Sequence, residues 1–213
     1  MKAKRYRPVM IVSCALIMAV AACSPFGRGT QQPTKNYVLN SLYSEKTIPQ
    51  PLTDLSNIGI LVGPVSLAQY LDRTDIVIRN TRNEIEIAEF SAWAGPLREN
   101  FSRVLAENLS LWLNSEKVAI FPQSRLPSFN YNVTMTVTRF DGRPGHQAQL
   151  RARWMVLDQR RTTTLFNGHT VLTQPAENDG IAGMIESQSR LIADFSRQIA
   201  EAIKELEASK AGN

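Results

Sequence analysis

Residues 129–157 hold the pattern that restricts the fold most. Phe129, Tyr131, Val133, Met135 and Val137 alternate with Asn130, Asn132, Thr134, Thr136 and Thr138. A period of two sends the apolar set to one side of a strand and the polar set to the other, so this segment belongs to a sheet with one dry face and one wet face. After the turn Asp141-Gly142-Arg143-Pro144-Gly145 the alternation resumes. Ala148, Leu150, Ala152, Trp154 and Val156 now alternate with Gln149, Arg151 and Arg153. A third strand is predicted over residues 163–172, beyond Asp158-Gln159-Arg160-Arg161, and completes an antiparallel meander.

A dry sheet face has to be covered. Two helical segments are suited to the task. From about Pro96 to Asn114, Leu97, Phe101, Val104, Leu105, Leu109, Trp112 and Leu113 recur at three- and four-residue intervals, with Arg98, Glu99, Arg103 and Glu107 mostly on the other side. Pro96 suits a first helical turn. A second helix is predicted from Ile181 to Leu206, burying Ile185, Ile192, Phe195, Ile199 and Ile203. Shorter strands are expected at residues 37–42, at 58–62 (closed by Gly63-Pro64), at 76–79 and 84–89 as a hairpin, and at 118–121. The expected fold is α+β: a two-layer domain with a mixed or mostly antiparallel sheet and two long amphipathic helices on one face.

The N-terminus has a different character. Lys2, Lys4, Arg5 and Arg7 precede an apolar run from Val9 to Ala22 broken only by Ser13 and Cys14. Basic, then apolar, then small residues is the order of a secretory signal peptide. The run falls short of the roughly 20 apolar residues that a membrane-crossing helix needs. It ends Val20-Ala21-Ala22-Cys23, which resembles the bacterial lipobox, with Cys23 as the acylated residue. Two or more acyl chains hold a protein stably on a membrane. Residues 1–22 are therefore read as a cleaved signal, 23–36 as the lipidated cysteine and a polar Gly/Pro/Thr tether, and 37–213 as a single domain. By resemblance to enterobacterial lipoproteins, Ser24 after the cysteine implies the outer membrane, facing the periplasm.

Composition removes several function classes. The precursor carries a net charge of +5, and loss of the four basic residues in 1–22 leaves +1. That is a poor charge balance for nucleic-acid binding, and no nucleic-acid partner is expected. Cys14 is the only cysteine besides Cys23 and lies in the segment to be removed, so a mature chain has no internal disulfide and no cysteine-based zinc site. The sequence lacks the glycine-rich, serine-elbow and paired-histidine motifs of common nucleotide-binding and hydrolytic sites. His146, in a turn, and His169, in a strand, are its only histidines. No enzyme activity, metal or cofactor is expected.

Candidate contact residues are fewer. Arg151, Arg153, Arg160 and Arg161 fit either a solvated strand face and turn or a surface for an acidic partner. Thr134, Thr136 and Thr138 fit plain solubility or a polar subunit contact. The segment from Gly63 to Arg73 either packs Tyr70 and Leu71 back on the core or presents them to a partner, since aromatic anchors dominate interface energies. Asp72, Arg73 and Trp93 belong to the same set of partner or oligomer candidates.

These residues carry a family resemblance. Cys23, then Tyr37-Val38-Leu39, Ile60-Leu61-Val62-Gly63-Pro64-Val65, Tyr70-Leu71-Asp72-Arg73, Ile78-Arg79, Trp93, and Pro96-Leu97 leading into the Phe101–Leu113 helix occur together and in order. The series resembles the ABC-type transport auxiliary lipoproteins of PqiC-like type. The resemblance implies a non-catalytic component of intermembrane lipid transport, lipid-anchored at the outer membrane. It also implies a homo-oligomeric ring and a partner with an MCE domain, PqiB-like, that bridges the periplasm. The alternative from another class is a monomeric lipoprotein carrying a hydrophobic ligand in an apolar cavity.

Overall fold

The alternating segment at 131–142 is the strand on which the sheet is organised. The computed structural model describes residues 32–122, 129–176 and 178–212, and the folded unit spans Thr34–Asn213. The signal segment, Cys23 and most of the tether lie outside the described residues.

The strands are β1 (Lys35–Tyr37), β2 (Ile60–Leu67), β3 (Asp75–Arg79), β4 (Ile85–Trp93), β5 (Val118–Ile120), β6 (Tyr131–Gly142), β7 (Gln147–Leu157) and β8 (Thr164–Pro175). Helix α1 spans Leu97–Leu113 and α2 spans Ile181–Ala211. One edge of β6 is taken along its length by β7, which in turn pairs with β8, both antiparallel. The other edge of β6 forks. Its first half takes β2 in parallel, with β5 beyond. Its end, at Gly142, takes β3, with β4 and then β1 beyond. The sheet is thus mixed, and the 3–4 hairpin and the meander are its antiparallel parts.

Both helices cover one face. Phe101 of α1 meets Phe140 of β6 edge-on at 5.2 Å, and Phe195 of α2 meets Trp154 of β7 at 6.1 Å. Trp112 of α1 donates its Nε1–H to Ser196 Oγ of α2 at 3.1 Å, which ties the helices to each other. The apolar positions expected from periodicity are all buried in both helices. Helix α1 ends where Asn114 turns left-handed (φ 49°), a conformation that Asn tolerates better than most residues, and its N–H closes on Leu111 and Ser110 carbonyls.

Strands β4 and β8 run on past the expected ends, to Trp93 and Pro175, and other details differ from the sequence expectation as well. Strand β2 does not stop at Gly63-Pro64; it bulges there and continues to Leu67. A bulge is a place where a strand tolerates proline, and Gly63 supplies the positive φ of 114°. Pairing at the N-terminus begins at Lys35, inside the stretch read as tether, and β1 ends at Tyr37; Leu42–Ser44 forms a 3-10 turn instead. Asp141 and Gly142, read as turn, are the last residues of β6. Helix α2 runs on to Ala211, where Lys210 and Glu207 close over the Tyr131 hydroxyl. Among the described residues no helix is long and apolar enough to cross a membrane.

Candidate functional site: the open face of the sheet

With both helices on one face, neither helix covers the other face of the β6–β7–β8 meander. Strand register aligns its side chains in rows. Thr134, Met155 and Asn167 form one row; Thr136, Arg153 and His169 the next; then Arg139, Arg151 and Val171; then Asp141, Gln149 and Thr173. Met155, on the interior strand β7, is 40% exposed, and Val171, on the edge strand β8, is 47% exposed. Arg139 stands directly opposite Arg151, a like-charge cross-strand pair that is unfavourable without compensation. Neither Arg151 nor Arg153 has an ion-pair partner among the described residues. A groove of about 590 Å³ crosses this face between Pro64 and Ser66 on one side and Asn167 and His169 on the other, with Arg153 and Met155 in it. Thr134 Oγ1, shielded on the same face, has no hydrogen-bond partner among the described residues.

The compensation for Arg139 comes from Asp141, whose side chain is 0% exposed. A bulge between Val137 and Arg139 shifts the alternation by one, so Phe140 points to the helices and Asp141 to the open face. There Asp141 accepts from Arg79 Nε and Nη2 at 2.9 and 2.8 Å, from Arg139 Nε at 2.9 Å and from the Tyr70 hydroxyl at 2.6 Å. Burial alone would raise the Asp141 pKa; the donated hydrogen bonds from Arg79, Tyr70 and Arg139 outweigh it and hold the carboxyl below its ordinary value. The same contact works the other way on its partners. Burial, then the bond to Asp141, pushes the Tyr70 phenol up to about 12, and the bond to Asp141 raises Arg79. Sequence reasoning assigned Asp141 no role. Its only trace in the sequence is Phe140, an apolar residue out of phase with the alternation before it.

The residues singled out from sequence lie in different parts of the fold. Tyr70 is half-buried on Asp141, with the Arg79 guanidinium 5.5 Å from its ring centre. Leu71 is 1% exposed and Trp93 4% exposed, both in the core. Asp72 pairs with Arg98 of α1, and Arg73 with Asp75 at 2.9 Å. The segment 70–73 is thus a clasp joining the β2–β3 loop to β6 and α1. Arg151 and Arg153 are on the open face. Arg161 lies elsewhere, in the β7–β8 turn, where its Nε donates to Asn132 Oδ1 at 3.0 Å and its guanidinium stacks over Phe121. The two histidines are not brought together: His169 faces Arg153 and His146 precedes Gln147, about 20 Å apart along β7. Among the described residues no three His, Cys, Asp or Glu side chains form a group able to hold a metal.

The architecture has solved relatives. A crystal structure of an uncharacterised protein superposes with a TM-score of 0.65 at 22% identity, covering 81% of this chain and 99% of that one. A crystal structure from Xanthomonas campestris gives 0.63 at 14% identity, covering 83% and 99%. At such identities the likeness is one of fold. No curated protein matches the sequence. The family model of the ABC-type transport auxiliary lipoprotein component matches residues 37–200, from the end of β1 well into α2. The chain belongs to the family of ABC-type transport auxiliary lipoproteins.

Proposed function

We propose that this protein is a non-catalytic outer-membrane lipoprotein of an MCE-type, PqiABC-like intermembrane lipid transport system. It is held by acyl chains on Cys23, assembles as a homo-oligomeric ring, and docks the periplasm-spanning MCE-domain protein. Family membership supports the transport role. The observation that carries the docking role is the open face of the meander. A face left open by both helices, with unpaired Arg151 and Arg153 beside exposed Met155 and Val171, has the mixed apolar and cationic character of a protein contact. Against the alternative of a monomeric ligand carrier, Phe101 packs on Phe140 at 5.2 Å and Trp154 on Phe195 at 6.1 Å between helices and sheet.

The test is copurification of the tagged full-length protein from detergent-solubilised envelopes, followed by a mass measurement in solution. An MCE-domain protein in the eluate, lost on Arg151→Glu/Arg153→Glu substitution while the thermal melt is unchanged, is the expected result. A monomer that brings down no MCE-domain protein would remove the proposal.

A further inference from the structure

A second concavity lies beyond the end of the open face, between the β3–β4 turn and the β6–β7 turn. Its volume is about 470 Å³, and Arg79, Arg82, Arg139, Arg143 and His146 line it. Each of the three Arg79 nitrogens makes a hydrogen bond within the protein. Two of its nitrogens hold Asp141, and Nη1 donates to the Arg82 carbonyl at 3.2 Å, which fixes the turn that carries Arg82. Arg139 spends only Nε on Asp141 and keeps both terminal nitrogens. Arg82 and Arg143 have no ion-pair partner among the described residues. Four guanidinium groups therefore line one concavity whose lining includes no carboxylate, and the buried Asp141 behind it already accepts four hydrogen bonds. Of the other acids nearby, Glu86 is held by Asn80 at 2.9 Å, and Asp179 packs against Gly145.

Like charges gathered in a concavity repel, and guanidinium groups only donate, so the site is complementary to an anion rich in acceptors. The donors come from three directions: the β3–β4 turn, the β6 strand and the β6–β7 turn. A planar carboxylate offers two oxygens in one plane. A phosphate offers at least three strong acceptor oxygens around a tetrahedral centre, and the guanidinium fork matches it. Buried Asp141 holds Arg79, and through it the Arg82 turn, in place before any ligand arrives. We propose that this pocket binds a phosphate group, with Arg82, Arg139 and Arg143 as its donors.

The group could be presented by free phosphate or by a lipid headgroup. Isothermal titration of the full-length protein in non-ionic detergent separates the two, with inorganic phosphate and dihexanoyl phosphatidic acid as probes. Binding of either probe, weakened about tenfold or more in Arg82→Gln/Arg143→Gln and unchanged in Arg160→Gln, is expected. Binding of phosphate alone would assign a soluble anion; binding of phosphatidic acid alone would assign a headgroup. Arg82 and Arg143 are exposed and outside the core, so an unaltered thermal melt of the double variant accompanies the titration. No binding of either probe, or equal loss in Arg160→Gln, would overturn the proposal.

Discussion

The Tyr70 hydroxyl donates a 2.6 Å hydrogen bond to Oδ2 of Asp141, across 71 positions of sequence. This contact fastens the loop after β2 to the end of β6. It completes the shell around a carboxylate with a 0% exposed side chain, where Arg79 and Arg139 supply the counter-charge. A buried charge is tolerated only when paired and fully hydrogen-bonded, so each member of the shell has a distinct energetic weight.

Asp141→Asn should destabilise the protein by about 3–5 kcal/mol, because it leaves two guanidinium groups without their carboxylate. Tyr70→Phe removes one bond to a charged acceptor and should cost about 1.5–3 kcal/mol. Denaturant unfolding of both variants measures the order. A Tyr70→Phe cost equal to or above that of Asp141→Asn would mean that the charge pairing does not dominate.

Asp141 should also shape the acid limb of stability. Its pKa in the fold is below the ordinary 3.8, so the unfolded chain takes up its proton first as pH falls. The stabilisation is complete above the ordinary value and is lost as pH drops through the folded one. The stability difference between wild type and Asp141→Asn should therefore be constant near neutrality and shrink below about pH 4. A difference that stays constant into that range would contradict the ion pairing.

Leu71→Ala should cost about 2–5 kcal/mol, the usual range for a fully buried leucine. Its side chain is 1% exposed, so the loss should appear in the thermal melt of the isolated protein. A melt unchanged from wild type would return Leu71 to the role of a partner contact.

Gly168→Ala should destabilise through overpacking. A Cβ at Gly168 would come within 2.0 Å of the Trp154 ring, which crosses the β8 backbone there. The expected cost is about 1–3 kcal/mol, or a fall in Tm of roughly 3–10 °C for a domain of this size. A restored Tm in Gly168→Ala/Trp154→Leu, relative to Trp154→Leu alone, would confirm that the indole is the obstacle.

Much of the fold was legible because local periodicity reports burial directly. The stripe from Leu97 to Leu113 and that from Ile185 to Ile203 both face the sheet, and the alternation in β6 and β7 marks which side of the sheet is dry. The candidate site was legible only in part. Arg151 and Arg153 were visible as the wet face of a strand. Tyr70 drew notice as a large side chain in a loop, yet its partner could not be named. A period-two pattern carries no information about a bulge until the phase slips, and here the slip falls between Val137 and Arg139.

By itself the sequence determined what depends on neighbours three or four positions away: two amphipathic helices, a half-wet meander, and an N-terminus with the order of an export signal. The tertiary structure alone decided what depends on residues far apart in the chain. It carried β2 through Gly63-Pro64, forked the free edge of β6, turned Asp141 to the open face, and set Arg79 and Tyr70 around it. The physical reason is one of range. Helix faces and strand faces are properties of backbone geometry, whereas the partner of a buried charge is chosen by the packing of the whole sheet.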